Sequence, residues 1–513
     1  MPPHLHARLA SFYPSSELTP GSAPHLRLVK WLFFAVLMAY LYQGIVPAFN
    51  QDDLNQLSTG TDGVSILGQG RWGYYLVFSW LQDSNGWPLI ATLSGCAMLV
   101  FTHLLAARHL GFTRALPIAA FVLIGSISLY YAQAFDFDST RLAYPLANVF
   151  AATGVYLLGR QRYLWGVLAL AIAPALYPAA TQFAGTLWLC GIVLALVRNR
   201  ADLTWRRTII QFILLGVALV LYMAITQASS WVFGYTLYGR ASVSLTAAIN
   251  NFDVIKGLFS RHAIPFITGK RDAYQTGVMV WASGLLTILF ACHAMARCWV
   301  QGRRGLAPVV AVLVVGLLIA PFSLIFASAT DYYPTRALYS YALVFGFFAA
   351  ALLDHDAGAG ARRMAHAPSI GLARPIAAAL LGCVLVIAHA AQISRLSFDQ
   401  YWQSEADLLE TSRIITAIDQ VIATTPLATA SEIPLVVIYD RSQPSPVRGF
   451  THTAAQSEWS RAIIYRFLDA RFKPGEQANA RQRAAAKGRA AYPAAGSIFV
   501  DDGAVIVIRN QVP

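Results

Sequence analysis

Long apolar segments alternate with short polar ones along most of the chain, and this pattern predicts a bundle of membrane-spanning helices. A spanning helix needs about 20 mostly apolar residues, and eleven segments come close to that length. They cover residues 28–49, 87–107, 115–134, 142–159, 163–181, 183–198, 208–231, 276–297, 306–328, 336–353 and 375–393. An aromatic stretch from Trp72 to Gln82 is too short to span and is predicted to lie in the membrane interface.

The pattern changes after residue 393 and predicts a small α/β domain. Apolar residues recur at helical spacing over 399–425. Leu435–Tyr439 has the pattern of a short buried strand, and strands Ser497–Val500 and Ala504–Ile508 flank a hairpin turn. The predicted domains are therefore a cytoplasmic tail (1–27), a transmembrane domain (28–393) and a C-terminal domain (394–513).

Composition agrees with a membrane protein. Of the 513 residues, 57% are hydrophobic and 12% are charged, whereas soluble chains carry about 25% charged residues. The net charge is +13, but most basic residues lie in short loops between apolar segments. They therefore indicate topology, with membrane lipids as neighbours, and we predict no nucleic acid partner.

Arginines cluster in alternate loops and predict how the chain crosses the membrane. Every even-numbered segment ends on a basic cluster, for example at Arg108, Arg160 and Arg198. The positive-inside rule then predicts a cytoplasmic N-terminus, and an odd number of crossings predicts a C-terminus outside. Segments 50–86, 135–141, 232–275 and 330–336 would face outward.

An acidic pair, Asp52-Asp53, follows the first apolar segment at the predicted outer surface. Neighbouring carboxylates repel each other, so one of them could have a raised pKa suited to proton transfer. Since an acidic residue also stabilises a helix N-terminus, a helix cap is an equal alternative.

Three other polar groups lie at the same predicted surface. Asp136 and Asp138 would share one face of an extended segment, where they could hold a divalent cation or form a plain polar turn. Arg71 could bind a lipid phosphate or merely extend to the lipid headgroups, and Arg336, after Tyr332, has the same two interpretations.

Histidines within the apolar segments stand alone, with no second histidine or carboxylate at ligand spacing. A structural role is therefore predicted for His103, His293 and His389. All five cysteines lie in or beside apolar segments, which is typical of small buried residues and indicates no disulfide framework.

The string Phe49-Asn50-Gln51-Asp52-Asp53, followed by Gly68-Gln69-Gly70-Arg71-Trp72, resembles the signature of the type II glucosyltransferases that modify bacterial O-antigen. These belong to the GT-C class of membrane glycosyltransferases. Phe135–Thr140, Leu176-Tyr177-Pro178 and the terminal strand at Gly496-Ser497-Ile498 extend the resemblance over most of the chain.

The resemblance implies a GT-C-like, all-α polytopic membrane protein of about 11 transmembrane helices with a small C-terminal α/β periplasmic domain. It implies inverting transfer of a sugar, glucose in the family, from a polyprenyl-phosphate donor. The acceptor would be a lipid-linked or lipopolysaccharide glycan such as O-antigen, on the periplasmic face of the bacterial inner membrane. Asp52 or Asp53 would be the general base, and Arg71 the cation near the donor phosphate.

The family is expected to carry a basic residue soon after the acidic pair, where this chain has Leu54, Asn55 and Gln56. The phosphate contact is therefore expected from Arg71, Arg141 or Arg336. The predicted substrate-binding residues are Arg71, Trp72, Asp136, Asp138, Arg141, Tyr332 and Arg336. No cofactor is assigned with certainty, and the two acidic sites leave a divalent cation as an alternative.

Two other functions fit parts of the pattern. A flippase or transporter for a lipid-linked glycan would carry charged residues deep inside several helices. An O-antigen polymerase or ligase would use basic residues in a large outer loop, as in 232–275. These classes can be separated by supplying a polyprenyl-phosphate sugar to the purified protein and measuring whether the sugar is transferred.

Overall fold

The structure is a computed structural model. It describes residues 22–46, 63–77, 79, 88–135, 140–199, 205–237, 249, 251–253, 256–257, 276–326, 335–354, 368–438, 461–474 and 478–509.

Helices account for nearly all of the described chain up to residue 422. The first ten are α1 Ala23–Ile45, α2 Gly63–Gly68, α3 Trp72–Val77, α4 Pro88–Leu110, α5 Ala115–Ser126, α6 Leu129–Phe135, α7 Thr140–Gly159, α8 Tyr163–Leu176, α9 Ala180–Val197 and α10 Trp205–Phe233. The next four are α11 Gly277–Val300, α12 Ala307–Ile319, α13 Ser340–Leu353 and α14 Pro368–Ile422. Short 3-10 turns lie at Arg304–Leu306, Ala320–Phe326, Thr335–Tyr339 and Pro426–Thr429.

Each of the eleven predicted spanning segments corresponds to a helical segment of the structure. Within the described ranges, eight helices are long and apolar enough to cross a membrane, and the bent pair α5–α6 would be a ninth crossing. The remaining two, α8 and Ala337–Leu353, are shorter apolar helices. The prediction of a polytopic helical membrane protein is therefore confirmed.

The 50° bend between α5 and α6 is stabilised by a tyrosine of another helix. The Tyr40 hydroxyl donates to the Ser126 carbonyl (2.8 Å) and accepts from the Ser128 N–H (3.0 Å). Because lipid offers no hydrogen-bond partner, backbone groups freed by a break must be satisfied within the protein. Tyr40 is fully buried and supplies that partner.

Side-chain contacts gather the basic loops at one end of the bundle, here called the arginine-rich end. Arg198 donates to the Leu110 carbonyl (3.0 Å) and pairs with Asp354. Arg303 donates to the Leu196 carbonyl (3.2 Å) and to Asn199. The alternate basic clusters therefore share one end, as predicted.

α14 is a single helix of 55 residues that runs through the predicted domain boundary at 393. At 1.5 Å per residue it is about 80 Å long, well beyond the thickness of a bilayer. No proline or glycine interrupts residues 384–422. The ring centroid of Phe398 lies 6.3 Å from that of Tyr42, near the end of α1, and 6.0 Å from that of the half-exposed Trp402. Such a group of aromatic rings is typical of the aromatic belt at a membrane interface.

Beyond this belt, α14 packs on a four-stranded sheet with the order β2-β1-β4-β3. The strands are β1 Ile433–Ile438, β2 Phe472–Pro474, β3 Ile498–Asp501 and β4 Ala504–Ile508, and helices α15 Arg461–Leu468 and α16 Ala480–Ala486 complete this C-terminal unit. Ile414, Ile418 and Ile422 of α14 are buried against its core. The predicted strand and hairpin are confirmed.

The hairpin turn has the local chemistry that the sequence indicated. Asp501 pairs with Ala504, and both intervening residues have positive φ, 54° at Asp502 and 73° at Gly503. A two-residue turn with this backbone matches the twist of the flanking strands, and Asp-Gly is among its preferred sequences.

Candidate functional site

The Gly70-Arg71 turn connects two short helices at the end of the bundle opposite the arginine-rich end. Gly70 donates to the Leu67 carbonyl (2.8 Å) and Arg71 to the Ile66 carbonyl (3.3 Å), which is the hydrogen-bond pattern of a Schellman cap. This cap needs a residue in the left-handed region, and Gly70 has a φ of 74°. The glycine therefore ends α2 and fixes where Arg71 leaves the turn.

Arg71 lies over an aromatic ring from a distant helix. Its Cζ is 5.3 Å from the centroid of Tyr177, within range of a cation–π interaction. The Tyr222 hydroxyl donates to the Gly70 carbonyl (3.1 Å) and ties the turn to α10. The Nε of Arg71 is buried and has no hydrogen-bond partner among the described residues. A guanidinium held in this way suits an added anion.

Tyr177 is positioned by the proline that follows it. A residue before proline is driven out of the helical region, and Tyr177 has φ −154° and ψ 119°, which ends α8. Its ring stacks on Tyr144 of α7 with centroids 3.5 Å apart. Trp72, the first residue of α3, packs with Tyr222 and Ala175. The Gly-Arg turn thus contacts Tyr177 at the end of α8 and Tyr222 of α10.

Arg141 lies one turn before Tyr144 in α7 and is 1% exposed. Its Nε donates to the Phe135 carbonyl (2.5 Å), and the Thr140 hydroxyl donates to the Ala134 carbonyl (2.5 Å). These bonds join the end of α6 to the start of α7. Gly95 allows the close approach, because a Cβ there would lie 2.6 Å from the Arg141 carbonyl oxygen.

Buried tyrosines continue the wall that begins at Tyr144 and Tyr177. The ring of Tyr339 stacks on that of Tyr131 with centroids 5.0 Å apart, and its centroid lies 6.3 Å from that of Tyr177. Asn148 donates to the Tyr131 hydroxyl at 3.0 Å. Tyr131 and Tyr339 were not among the residues predicted to be functional. Their signal was weak, because a tyrosine within an apolar segment is also typical of helix packing.

Several predicted site residues lie outside the described part of the chain. They are Asp52, Asp53, Asp136, Asp138 and Tyr332. Arg336 lies in the 3-10 turn Thr335–Tyr339, and its side chain is not among those described. The structure thus brings Arg71, Trp72 and Arg141 to one end of the bundle and leaves the roles of the aspartates as predictions.

The described residues that precede the two acidic segments are in contact. Asp52-Asp53 follows α1, and Asp136 follows Phe135 at the end of α6. In α1, Gln43 donates to the Ala132 carbonyl (3.2 Å), and Tyr40 stacks on Phe135 at 4.7 Å. Both acidic segments therefore begin from the same corner of the bundle.

The histidines have structural partners. His103 donates to the Leu99 carbonyl (2.9 Å), His389 accepts from the Leu129 N–H (3.3 Å), and His293 contacts Arg374 (2.7 Å). Across the described ranges, no group of three or more His, Cys, Asp or Glu could hold a metal ion. Since the four candidate aspartates lie outside those ranges, the divalent cation stays a prediction.

The arrangement can bind an anion at the membrane surface. Arg71 supplies a partly buried cation, Arg141 a fully buried one, and the tyrosines form an apolar wall with hydroxyl groups. Such fixed cations stabilise a negative charge strongly because the surroundings exclude water. A phosphate group would match this charge.

The family model described as Glucosyl transferase GtrII matches residues 41–353, more than half of the chain. The match includes the Gly-Arg turn and the tyrosine wall and ends before the C-terminal unit. Among solved structures, the chain is similar to ArnT from Cupriavidus metallidurans in the apo state. The identity is 12%, 90% of this chain and 87% of that chain are covered, and the TM-score of 0.37 does not establish a common fold. No curated protein matches the chain.

Proposed function

Because the chain belongs to the glucosyl transferase GtrII family, we propose that it transfers glucose from a polyprenyl-phosphate donor to a cell-surface glycan such as O-antigen. The reaction takes place on the periplasmic face of the bacterial inner membrane, with the N-terminus in the cytoplasm and the C-terminal unit in the periplasm. The lipid-linked donor and the acceptor glycan are the partners, together with the surrounding membrane lipids.

In the proposed reaction, Asp52 or Asp53 removes the proton from the acceptor hydroxyl. The acceptor oxygen attacks the anomeric carbon of the sugar, and the bond from that carbon to the phosphate oxygen breaks. The electron pair of that bond leaves with the polyprenyl phosphate. One direct displacement inverts the anomeric centre. Arg71 and Arg141 stabilise the negative charge that develops on the departing phosphate.

The observation that carries this proposal is the geometry of Arg71. Its guanidinium lies over Tyr177, and its Nε is buried with no hydrogen-bond partner among the described residues. A buried polar group without a partner costs free energy, so a cation kept in this state favours binding of an anionic ligand. The GtrII match supplies the reaction class.

The contact between α1 and α6 supports the role of the acidic segments. Asp52 is seven residues beyond Ile45, and seven residues of extended chain span at most about 25 Å. Asp136 directly follows Phe135, whose carbonyl accepts from Arg141. The length of chain after α1 therefore permits the proposed base to reach the proposed phosphate contacts.

The small number of buried charged residues among the described residues favours a transferase over a transporter. A transporter would place charged residues deep inside several helices. Apart from histidines, the buried charged residues of the described chain are Arg141 and Asp407. Arg141 lies in the first turn of α7, and Asp407 lies on the part of α14 beyond the aromatic belt. Neither forms a charged path through the bundle.

The test uses purified protein in lipid nanodiscs with a polyprenyl-phosphate glucose donor and a glycan acceptor. Asp52→Asn and Asp53→Asn are measured separately, since the sequence does not distinguish them. Loss of a general base lowers the rate by roughly 10²- to 10⁴-fold, so at least one variant should lose transfer to that extent. If both variants keep full transfer, the catalytic assignment is wrong.

Arg71→Gln tests the phosphate contact and should raise the donor KM. Arg304→Gln is the matched control, because that arginine lies over Trp299 at 5.2 Å, at the arginine-rich end.

A product with one added hexose supports the transferase, whereas a polymer would support a polymerase. Loss of transfer on chelation of divalent cations would assign a metal to the reaction.

A further inference from the structure

A cavity of about 380 Å³ lies at the arginine-rich end of the bundle, between α4, α7, α9 and α10. Ligand pockets commonly measure roughly 300 to 1,000 Å³. The proposed transfer reaction does not use this cavity, since Arg71 and Arg141 lie at the opposite end. The cavity therefore needs its own explanation.

Two arginines of the lining converge on one aromatic ring. The Cζ atoms of Arg108 and Arg160 lie 5.9 and 5.4 Å from the centroid of Tyr156. Both arginines are exposed, so their guanidinium groups can reach a ligand. Of the described residues that line the cavity, none is an aspartate or glutamate. The electrostatic potential there favours an anion.

Two glycines of the cavity lining leave room for the ring of His109. Gly159 and Gly191 lie on either side of His109, and a Cβ on Gly159 would come within 2.9 Å of the histidine ring. A Cβ on Gly191 would lie 3.5 Å from it, at ordinary contact distance. Arg207 donates to the Gly159 carbonyl and fixes α10 against the end of α7.

One wall of the cavity continues onto the apolar outer surface. Trp188 lines the cavity and donates to Gln211 (3.3 Å). Its ring lies 5.7 Å from Phe212, which is 62% exposed. A molecule with a charged head in the cavity could therefore extend an apolar chain along Phe212 into the bilayer.

We propose that this cavity binds the phosphate headgroup of an anionic phospholipid. Arg108 and Arg160 contact the phosphate through charge-assisted hydrogen bonds, and an acyl chain follows Trp188 and Phe212. Basic cavities between helices at a membrane surface are suited to such headgroups. Topology alone explains why arginines lie at this end, but it does not explain a cavity lined by glycines and two arginines on one ring.

The test measures lipid binding to the full-length protein in detergent by native mass spectrometry. The added lipids are phosphatidylglycerol, phosphatidylcholine and polyprenyl phosphate, each alone and in competition, with inorganic phosphate as a further arm. Arg108→Gln/Arg160→Gln removes the charge, whereas Gly191→Leu fills the cavity and keeps the charge. Arg304→Gln is the matched control, because it removes a cation from the same end outside the cavity.

Phosphatidylglycerol should bind the wild type more tightly than phosphatidylcholine. The double arginine variant should weaken it by about tenfold or more, because it removes charge-assisted contacts. Gly191→Leu should weaken it to a similar extent, because the leucine side chain occupies the space of the headgroup. Arg304→Gln should bind as the wild type does. Unfolding temperatures show that the variants are folded, and Gly191→Leu keeps the test valid if the double variant is not.

Equal binding of the two phospholipids by the wild type would overturn the proposal. The proposal would also be overturned if both cavity variants bound phosphatidylglycerol as tightly as the wild type. An equal loss of binding in Arg304→Gln would overturn it too, because binding would then depend on the general charge of the surface. Preferential binding of polyprenyl phosphate, or displacement of phosphatidylglycerol by inorganic phosphate alone, would assign the cavity to a different phosphate and reject the phospholipid. None of these readouts needs transfer activity, so the result is independent of the proposed reaction.

Discussion

Tyr177→Leu is expected to weaken donor binding, although Tyr177 lies more than a hundred residues from Arg71 in sequence. The ring of Tyr177 holds the Arg71 guanidinium at 5.3 Å and is itself stacked on Tyr144 at 3.5 Å. Leucine keeps most of the apolar volume but has no aromatic face. The substitution therefore removes the cation–π contact, and Arg71 loses its fixed orientation.

The magnitude follows from that contact. A cation–π interaction contributes about 0.5 to 2 kcal/mol, more when it is shielded from water, and Tyr177 is 3% exposed. If this energy orients Arg71 for the donor phosphate, donor binding should weaken by about 2- to 30-fold. The lost stacking on Tyr144 should also lower the free energy of unfolding by about 0.5 to 1.5 kcal/mol.

The assay is the donor KM for transfer in nanodiscs at saturating acceptor. Tyr177→Phe is the matched control, since it keeps the ring and should leave the donor KM near the wild-type value. In an Arg71→Ala background, Tyr177→Leu should add little, because the two changes remove the same interaction. An unchanged donor KM in Tyr177→Leu, or an equal effect in the Arg71→Ala background, would refute this reasoning.

Two further predictions concern stability. Gly70→Ala should lower the free energy of unfolding by roughly 1 to 2 kcal/mol, because an alanine at φ 74° is strained. Gly185→Ala is the control and should not lower it, because Gly185 lies in open space on α9. Equal thermal unfolding temperatures for the two variants would contradict the turn geometry. In the C-terminal unit, hydrogen bonds from Arg471 hold the pKa of Asp469 below its usual 3.8. A depressed carboxyl pKa stabilises the fold above the unfolded pKa, and this stability is lost as the pH falls through the folded value. Arg471→Gln should therefore make the stability of β1, measured by hydrogen exchange, less sensitive to acidification from about pH 5 to about pH 3; an unchanged pH dependence would show that the pair is not responsible.

Local chemistry explains which parts of the fold could be predicted. The eleven apolar segments correspond to helical segments because lipid forces each crossing to satisfy its own backbone hydrogen bonds, so apolarity over about 20 residues is enough to predict a crossing. The hairpin at Asp502-Gly503 was predictable for a similar reason, since its positive φ values favour those two residues.

Other features depend on contacts that a local pattern does not contain. The bend after Ser126 occurs within a continuous apolar segment, and the hydroxyl that stabilises it belongs to Tyr40 in another helix. α14 continues through residue 393, where the sequence analysis placed a domain boundary, because the change from apolar to polar residues alters its environment without breaking the helix. A domain boundary drawn from hydropathy therefore marks where the surroundings of a helix change from lipid to water, and it does not mark where the helix ends.

The candidate site shows the same division. The Gly70-Arg71 string, the acidic segments and the resemblance to a glucosyltransferase family could all be recognised in the sequence, because they are short strings whose chemistry is local. The sequence did not predict that Arg71 lies over Tyr177, that Tyr177 stacks on Tyr144, or that α1 meets α6. Those contacts arise from the packing of helices, and packing depends on side-chain shapes from distant parts of the chain rather than on the apolar pattern that makes each helix.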